Sequence, residues 1–290
     1  MFVKIRALWQ FTTFNLTVAL IIACPVSCVM GALSSEDELR AACLALTPNK
    51  APFMYRGRCF AFNWLALTHP ASFNPGGCSD LPNGHVAILN TRGIIERLNQ
   101  EWINAGYSTG GAVWMAAGRQ TASIVHPNAG WDSGWYFIWN GNYYGPMPTS
   151  AQGWTNHWMT GPNACYGGRA AVGTTCVSLR NNDGLNAGSE GMCEVDCTFP
   201  WWAACEYRSQ QAQYNEMPSM RDQRVKSVAM LETHTEQSKM ACAARCFKHW
   251  VCASYGFHEA TGECRLAMSD ETDDALLYEA GPGYKFYVPA

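Results

Sequence analysis

The stretch CTFPWWAACEYR, residues 197–208, sets seven residues between Cys197 and Cys205 and closes on an apolar run, Trp202 to Tyr207, that reads as a strand. Upstream of it, short apolar stretches broken by Gly, Asn and Pro recur back to Tyr55, and tryptophan is dense throughout. That texture predicts brief strands and long loops rather than helical layers. Further strand candidates are Arg58–Phe62, Ala112–Ala116, Trp135–Trp139 and Cys176–Leu179. One helix stands out between them. Asn90 or Thr91 can cap it, Ile94, Ile95, Leu98 and Trp102 form an apolar stripe at helical spacing, and Gly106 ends it.

At 290 residues, with 48% apolar residues, the chain has room for two cores. Charged residues make up 15% and the formal net charge is -3, so there is no basic field to attract phosphate backbones, and nucleic acid is not an expected partner. The amino terminus carries Lys4 and Arg6, then an apolar run from Phe14 to Val29, then small residues at Gly31 and Ala32. Residues 1–32 therefore read as a secretory signal peptide, which makes the product secreted and extracellular. An uncleaved anchor helix is the alternative. Thr17, Pro25 and Ser27 interrupt a run already short of the roughly 20 apolar residues a span requires. No later stretch is long and apolar enough, so no membrane span is expected in the mature chain. Cleavage removes two of the fourteen cysteines, Cys24 and Cys28, and the even remainder in an exported chain reads as a disulfide framework. The one Asn-x-Thr sequon, at Asn15, lies inside the signal.

Residues 33–54 form an amino-terminal extension and 55–208 the aromatic-rich region. The stretch from Arg208 to Arg221 is polar and without periodicity, and 209–220 read as a linker to a second region, 221–290. There, Thr233-His234-Thr235-Glu236 has capping-box spacing and predicts a helix over 236–247. Cys242 and Cys246 share one face of that helix, within reach of Cys252 and Cys264 on extended segments downstream.

Several motifs of the first region fall in one order: Val113-Trp114-Met115-Ala116-Ala117-Gly118, Trp139-Asn140-Gly141, Gly161-Pro162-Asn163, Cys176, Cys197 and Cys205-Glu206. In this it resembles a C-type-lectin-like domain. The resemblance implies an α+β fold of two helices, small antiparallel sheets and a long loop region. It also implies pairing of Cys78 with Cys205, of Cys176 with Cys197, and of Cys43 with Cys59 as the amino-terminal bridge of longer members. The second region resembles a PAN/apple domain through Cys242-x3-Cys246-x5-Cys252 and Cys264-Arg265-Leu266. That implies a small sheet cradling one helix, with Cys242 joined to Cys264 and Cys246 to Cys252, and a role in adhesion or docking.

Sugar-binding lectins of this family hold calcium in the long loop with a Glu-Pro-Asn-like and a Trp-Asn-Asp-like triplet. Here the first is Gly161-Pro162-Asn163 and the second Met192-Cys193-Glu194, while Arg169 stands about where another acidic ligand falls. Asn163 and Glu194 remain, with Asp183 and Glu190 as substitutes in a rearranged site. A hard cation wants six to eight oxygens, so calcium is disfavoured and no cofactor is expected. The competing reading joins Cys165 to Cys193, a covalent staple ordering the loop in place of metal.

Among other chemistries, Cys242, Cys246, His249 and Cys252 form a set that zinc accepts, but an exporting route and the even count with Cys264 favour disulfides. Ser133 and Ser189 sit between glycines without nucleophile-elbow spacing, and no acid, base and nucleophile set is assembled, so no enzyme is expected. Trp114 and Trp139 read as core. Trp154, Trp158 and Tyr166 flank the long loop and, with Asn163 and Glu194, are the candidate ligand-binding residues. The expected function is recognition of an extracellular glycan or glycoprotein, without calcium, through residues 153–194. The other reading is a structural or adhesive component of matrix, mucus or filament that binds itself or other extracellular proteins.

Overall fold

The computed structural model describes residues 33–67, 75–106, 112–118, 135–139, 142–149, 152, 176–180, 191–195, 197 and 200–290. Its first helix, α1 (Glu36–Leu44), lies in the amino-terminal extension, where the sequence reading placed no element. Ser35 caps it by accepting from the Glu38 amide at 3.2 Å, and Glu36, Asp37 and Glu38 complement the helix dipole in the first turn. A hairpin follows, β1 (Phe53–Tyr55) and β2 (Arg58–Leu67), whose two-residue turn places Arg56 at φ 48° and Gly57 at φ 66°. Positive φ at both turn residues matches the right-handed strand twist, at a steric cost for Arg56.

After β3 (His85–Val86), the Thr91 hydroxyl caps α2 (Arg92–Asn104), and the apolar stripe of that helix, Ile94, Ile95, Leu98 and Trp102, is buried. The remaining strands of this region are β4 (Ala112–Gly118), β5 (Tyr136–Trp139), β6 (Asn142–Tyr144), β7 (Cys176–Arg180), β8 (Gly191–Val195) and β9 (Trp201–Arg208). They run β1-β2-β9-β4-β5-β6, with β3 also on β9 and the β7–β8 hairpin on β4. The long antiparallel pairing of β2 with β9 brings the two ends of the region together. Trp114, Trp135, Phe60, Phe62 and Phe137 fill the core, each contributing about 1.5–3 kcal/mol by area removed from water. This is an α+β arrangement of helices packed on a mostly antiparallel sheet, as expected.

The stretch read as a linker instead enters the second sheet. Its strand β10 (Tyr214–Glu216) pairs antiparallel with the last strand of the chain. Then come β11 (Gln223–Val225), β12 (Met230–Thr235), α3 (Lys239–Lys248), β13 (Ser254–His258), β14 (Glu263–Ala267), β15 (Tyr278–Ala280) and β16 (Tyr284–Pro289). The five-stranded sheet runs β10-β16-β13-β14-β12, and β11 pairs with β15. Thr233, His234 and Thr235, read from sequence as a capping box, extend β12 because β14 takes up their backbone groups. Ser238 caps α3 in their place, accepting from the Ala241 amide at 3.2 Å.

Among the described residues five disulfides form: Cys43–Cys59, Cys78–Cys205, Cys176–Cys197, Cys242–Cys264 and Cys246–Cys252. They tie α1 to β2, the segment before β3 to β9, β7 to the turn before β9, and α3 to β14 and to the segment before β13. With Cys242, Cys246 and Cys252 oxidised, no thiolate of that cluster is left for zinc.

Candidate functional site

Of the expected ligand-binding residues, Trp154, Trp158, Asn163 and Tyr166 lie outside the described residues, as do Asp183, Glu190, Cys165, Ser133 and Ser189. The backbone of Cys193 and Glu194 is described. Both lie on β8, Cys193 opposite Ser178 and Glu194 opposite Val177 of β7. The base of the long loop is thus a hairpin hung on β4 against Trp114, with Val177, Leu179 and Met192 buried beneath it. No group of three potential metal-ligating side chains occurs among the described residues.

The structure assembles a second constellation that sequence reasoning missed: a charged seam between the aromatic-rich first region and the segment after residue 209. Glu206 on β9 has no exposed surface. One carboxylate oxygen takes the Arg208 Nε at 2.7 Å and an Arg58 Nη at 3.2 Å, and the other accepts from the Ile88 amide at 3.1 Å. Arg208 also donates to the Trp250 carbonyl at 2.7 Å and lies over the Trp250 ring, 4.4 Å from its centroid. His85 meets the same ring edge-on at 4.2 Å. Asn90 donates across the seam to the Val251 carbonyl at 2.6 Å.

At the other end of the seam, the loop 270–273 caps α2 from outside its own region. The Arg92 amide donates to an Asp273 oxygen at 2.9 Å and the Gly93 amide to the Thr272 hydroxyl at 2.8 Å, two of the orphan donors of a helix start. Arg56, at the strained turn, pairs with Glu271 and lies 3.6 Å from Asp270. Between these polar clusters the apolar core is continuous. Val225, Ala229, Val251, Met268, Leu277 and Tyr278 belong to the same buried cluster as Trp114 and Phe60. A clue existed in Glu206, a carboxylate inside an apolar strand, which requires a buried cation.

Burial alone would raise the Glu206 carboxyl, but the charges of Arg208 and Arg58 outweigh it and hold the group at about 2. Burial lowers the His85 imidazole to about 4 against the pull of Glu206, and Arg208 and Arg58 push it the same way as burial. Asp270 is raised to about 6 by burial and by the neighbouring Asp273, with Glu271 adding to the rise, and the positive charge of Arg56 does not compensate.

These two shifts act in opposite senses. Folded His85 titrates near 4 and an unfolded imidazole near 6.5, so in that window the unfolded chain holds the extra proton and acid weakens the fold. Folded Asp270 titrates near 6 against 3.8 unfolded, so in its window the folded chain holds the extra proton and acid strengthens the fold. Each is worth about 3 kcal/mol across its window at 1.36 kcal/mol per pH unit. Urea midpoints between pH 6.5 and 4 are therefore expected to rise in His85→Gln relative to the parent as pH falls, and to drop in Asp270→Asn. Parallel pH profiles for all three proteins would refute the assignment.

Among the described residues no helix is long and apolar enough to cross a membrane. No curated protein matches the chain. Human lithostathine is similar in structure at 15% identity, over 58% of this chain and 94% of its own, with a TM-score of 0.36. Ovocleidin-17, a major protein of the Gallus gallus eggshell calcified layer, is similar at 17% identity over 55% and 97%, with a TM-score of 0.36. CEL-IV is similar at 13% identity over 56% and 95%, with a TM-score of 0.37. In sequence, residues 218–287, from the turn after β10 to the middle of β16, match the family model of the PAN domain.

Proposed function

We propose that the chain is a secreted, non-catalytic recognition protein that binds an extracellular glycan or glycoprotein through residues 153–194 without calcium. The observation that supports this reading is a contrast within one loop. Its base, the buried β7–β8 hairpin tied by Cys176–Cys197, keeps the scaffold of a presented loop. Its ligand positions have meanwhile lost oxygens, with Gly161 in place of an acid and Cys193 within the second triplet. A scaffold that is kept while the cation shell is depleted favours direct readout by Trp154, Trp158, Asn163, Tyr166 and Glu194, with a Cys165–Cys193 bridge ordering the loop. The five disulfides fit an oxidising compartment. The PAN segment, joined through the packed seam, adds a docking surface.

Glycan-array binding of the secreted chain in calcium and in chelator tests this. The expected result is binding to a defined glycan set that is unchanged in chelator and lost in Trp154→Ala/Trp158→Ala. Chelator-sensitive binding would restore a calcium lectin. No glycan binding, together with concentration-dependent self-association in analytical ultracentrifugation, would establish the structural or adhesive reading instead.

A further inference from the structure

We infer that a cleft at the seam, lined by Arg56, Arg58 and Arg208, binds a small oxyanion, a carboxylate or a sulfate group. The cleft is shallow and open to solvent at its mouth, and every charged residue lining it is an arginine. Tyr214 completes the polar wall, while Phe247 and Pro289 form an apolar one. The acids that answer these cations do not balance them. Arg56 is taken by Glu271 and Asp270. Arg58 and Arg208, only 5% and 7% exposed, share the single carboxylate of Glu206. Two buried guanidinium groups against one buried carboxylate leave one positive charge without a counter-ion.

Hydrogen-bond supply shows the same imbalance. Glu206 already accepts from three donors, its second oxygen serving Ile88, and the Arg58 Nε is not among them. The Arg58 Nε, out of contact with solvent, has no hydrogen-bond partner in the structure. Tyr214 supplies no anion, because burial pushes its phenol up to about 12. At the rim, the Glu36 carboxylate is held by Arg40 at 2.8 Å. A buried guanidinium with unspent donors is costly, and its planar fork is matched by the paired oxygens of a carboxylate or sulfate. The apolar wall suits the carbon side of an organic acid.

The test uses the full chain, labelled with ¹⁵N-arginine and titrated separately with acetate and with sulfate against chloride at constant ionic strength. The Arg58 Nε–H resonance is expected to shift saturably at millimolar anion. At a hundredfold excess over Kd the unfolding constant should fall about 100-fold. Arg58→Met keeps Arg208 and Glu206 as a matched pair, so it should fold and lose the response, while Arg221→Met, at a surface pair with Glu216, should keep it. Saturation by acetate alone assigns a carboxylate site, and by sulfate alone a sulfate site. A resonance unmoved by either anion overturns the proposal. So does an equal, non-saturating stabilisation of all three proteins, which is the general effect of excluded salts. Should Arg58→Met not fold, the resonance of the parent protein decides by itself.

Discussion

Glu206→Gln is expected to lower the stability of the folded chain by about 3–5 kcal/mol, the cost of leaving buried charge without its partner. Glutamine keeps the shape and retains an acceptor for the Ile88 amide, so the substitution removes the charge and little else. What remains is a pair of nearly buried guanidinium groups, Arg58 and Arg208, without a counter-charge between them. The measurement is urea unfolding at pH 7, read as a fall in midpoint at constant slope. Adding Arg58→Met to Glu206→Gln should recover part of the loss, because one of the two unbalanced cations is then gone. The double-mutant cycle gives the coupling directly. A loss below about 1 kcal/mol would place these charges in the class of exposed ion pairs and sink the account of a dry seam.

The second large effect is topological. Cys78–Cys205 closes 127 residues and Cys246–Cys252 only 6. Chain entropy values these constraints at about 5 and about 2 kcal/mol. Cys78→Ala/Cys205→Ala should therefore cost more than twice as much as Cys246→Ala/Cys252→Ala, measured by calorimetric unfolding of the purified, oxidised proteins. Against a typical total of about 5–15 kcal/mol, the first loss threatens folding itself, so a collapse in the yield of folded protein is the expected companion result. Equal losses from the two double variants would show that native packing rather than loop length governs both.

The contrast between what could be read and what could not follows from distance along the chain. Local signals sufficed for α2, where Thr91 and an apolar stripe at helical spacing lie within a few residues of one another. Strand β9 was visible in the apolar run around Cys205, and the buried place of Trp114 followed from its motif. Helix α1 was missed because its cap, Ser35, sits just past the segment read as a signal peptide and its short amphipathic pattern buries only Leu39 and Cys43. The start of α3 was misjudged because two capping hydroxyls compete there. Thr233 has the better local spacing, but β14, some thirty residues downstream, claims its backbone for the sheet. The seam lay beyond sequence reading for the same reason in stronger form: Arg56 answers Glu271, Asn90 answers Val251, and Arg92 answers Asp273. Of the loop candidates, only the strand position of Glu194 is placed by the structure.

The capping of α2 by the loop 270–273 bears on how this chain can change over generations. Recombination that joined a different neighbour after residue 208 would strip partners at one stroke from the Arg92 and Gly93 amides, the Asn90 side chain and the Arg208 guanidinium. No single later substitution restores them all. Exchange of either half alone is therefore expected to leave the other with unpaired buried groups, so that the joint constrains the two to change together.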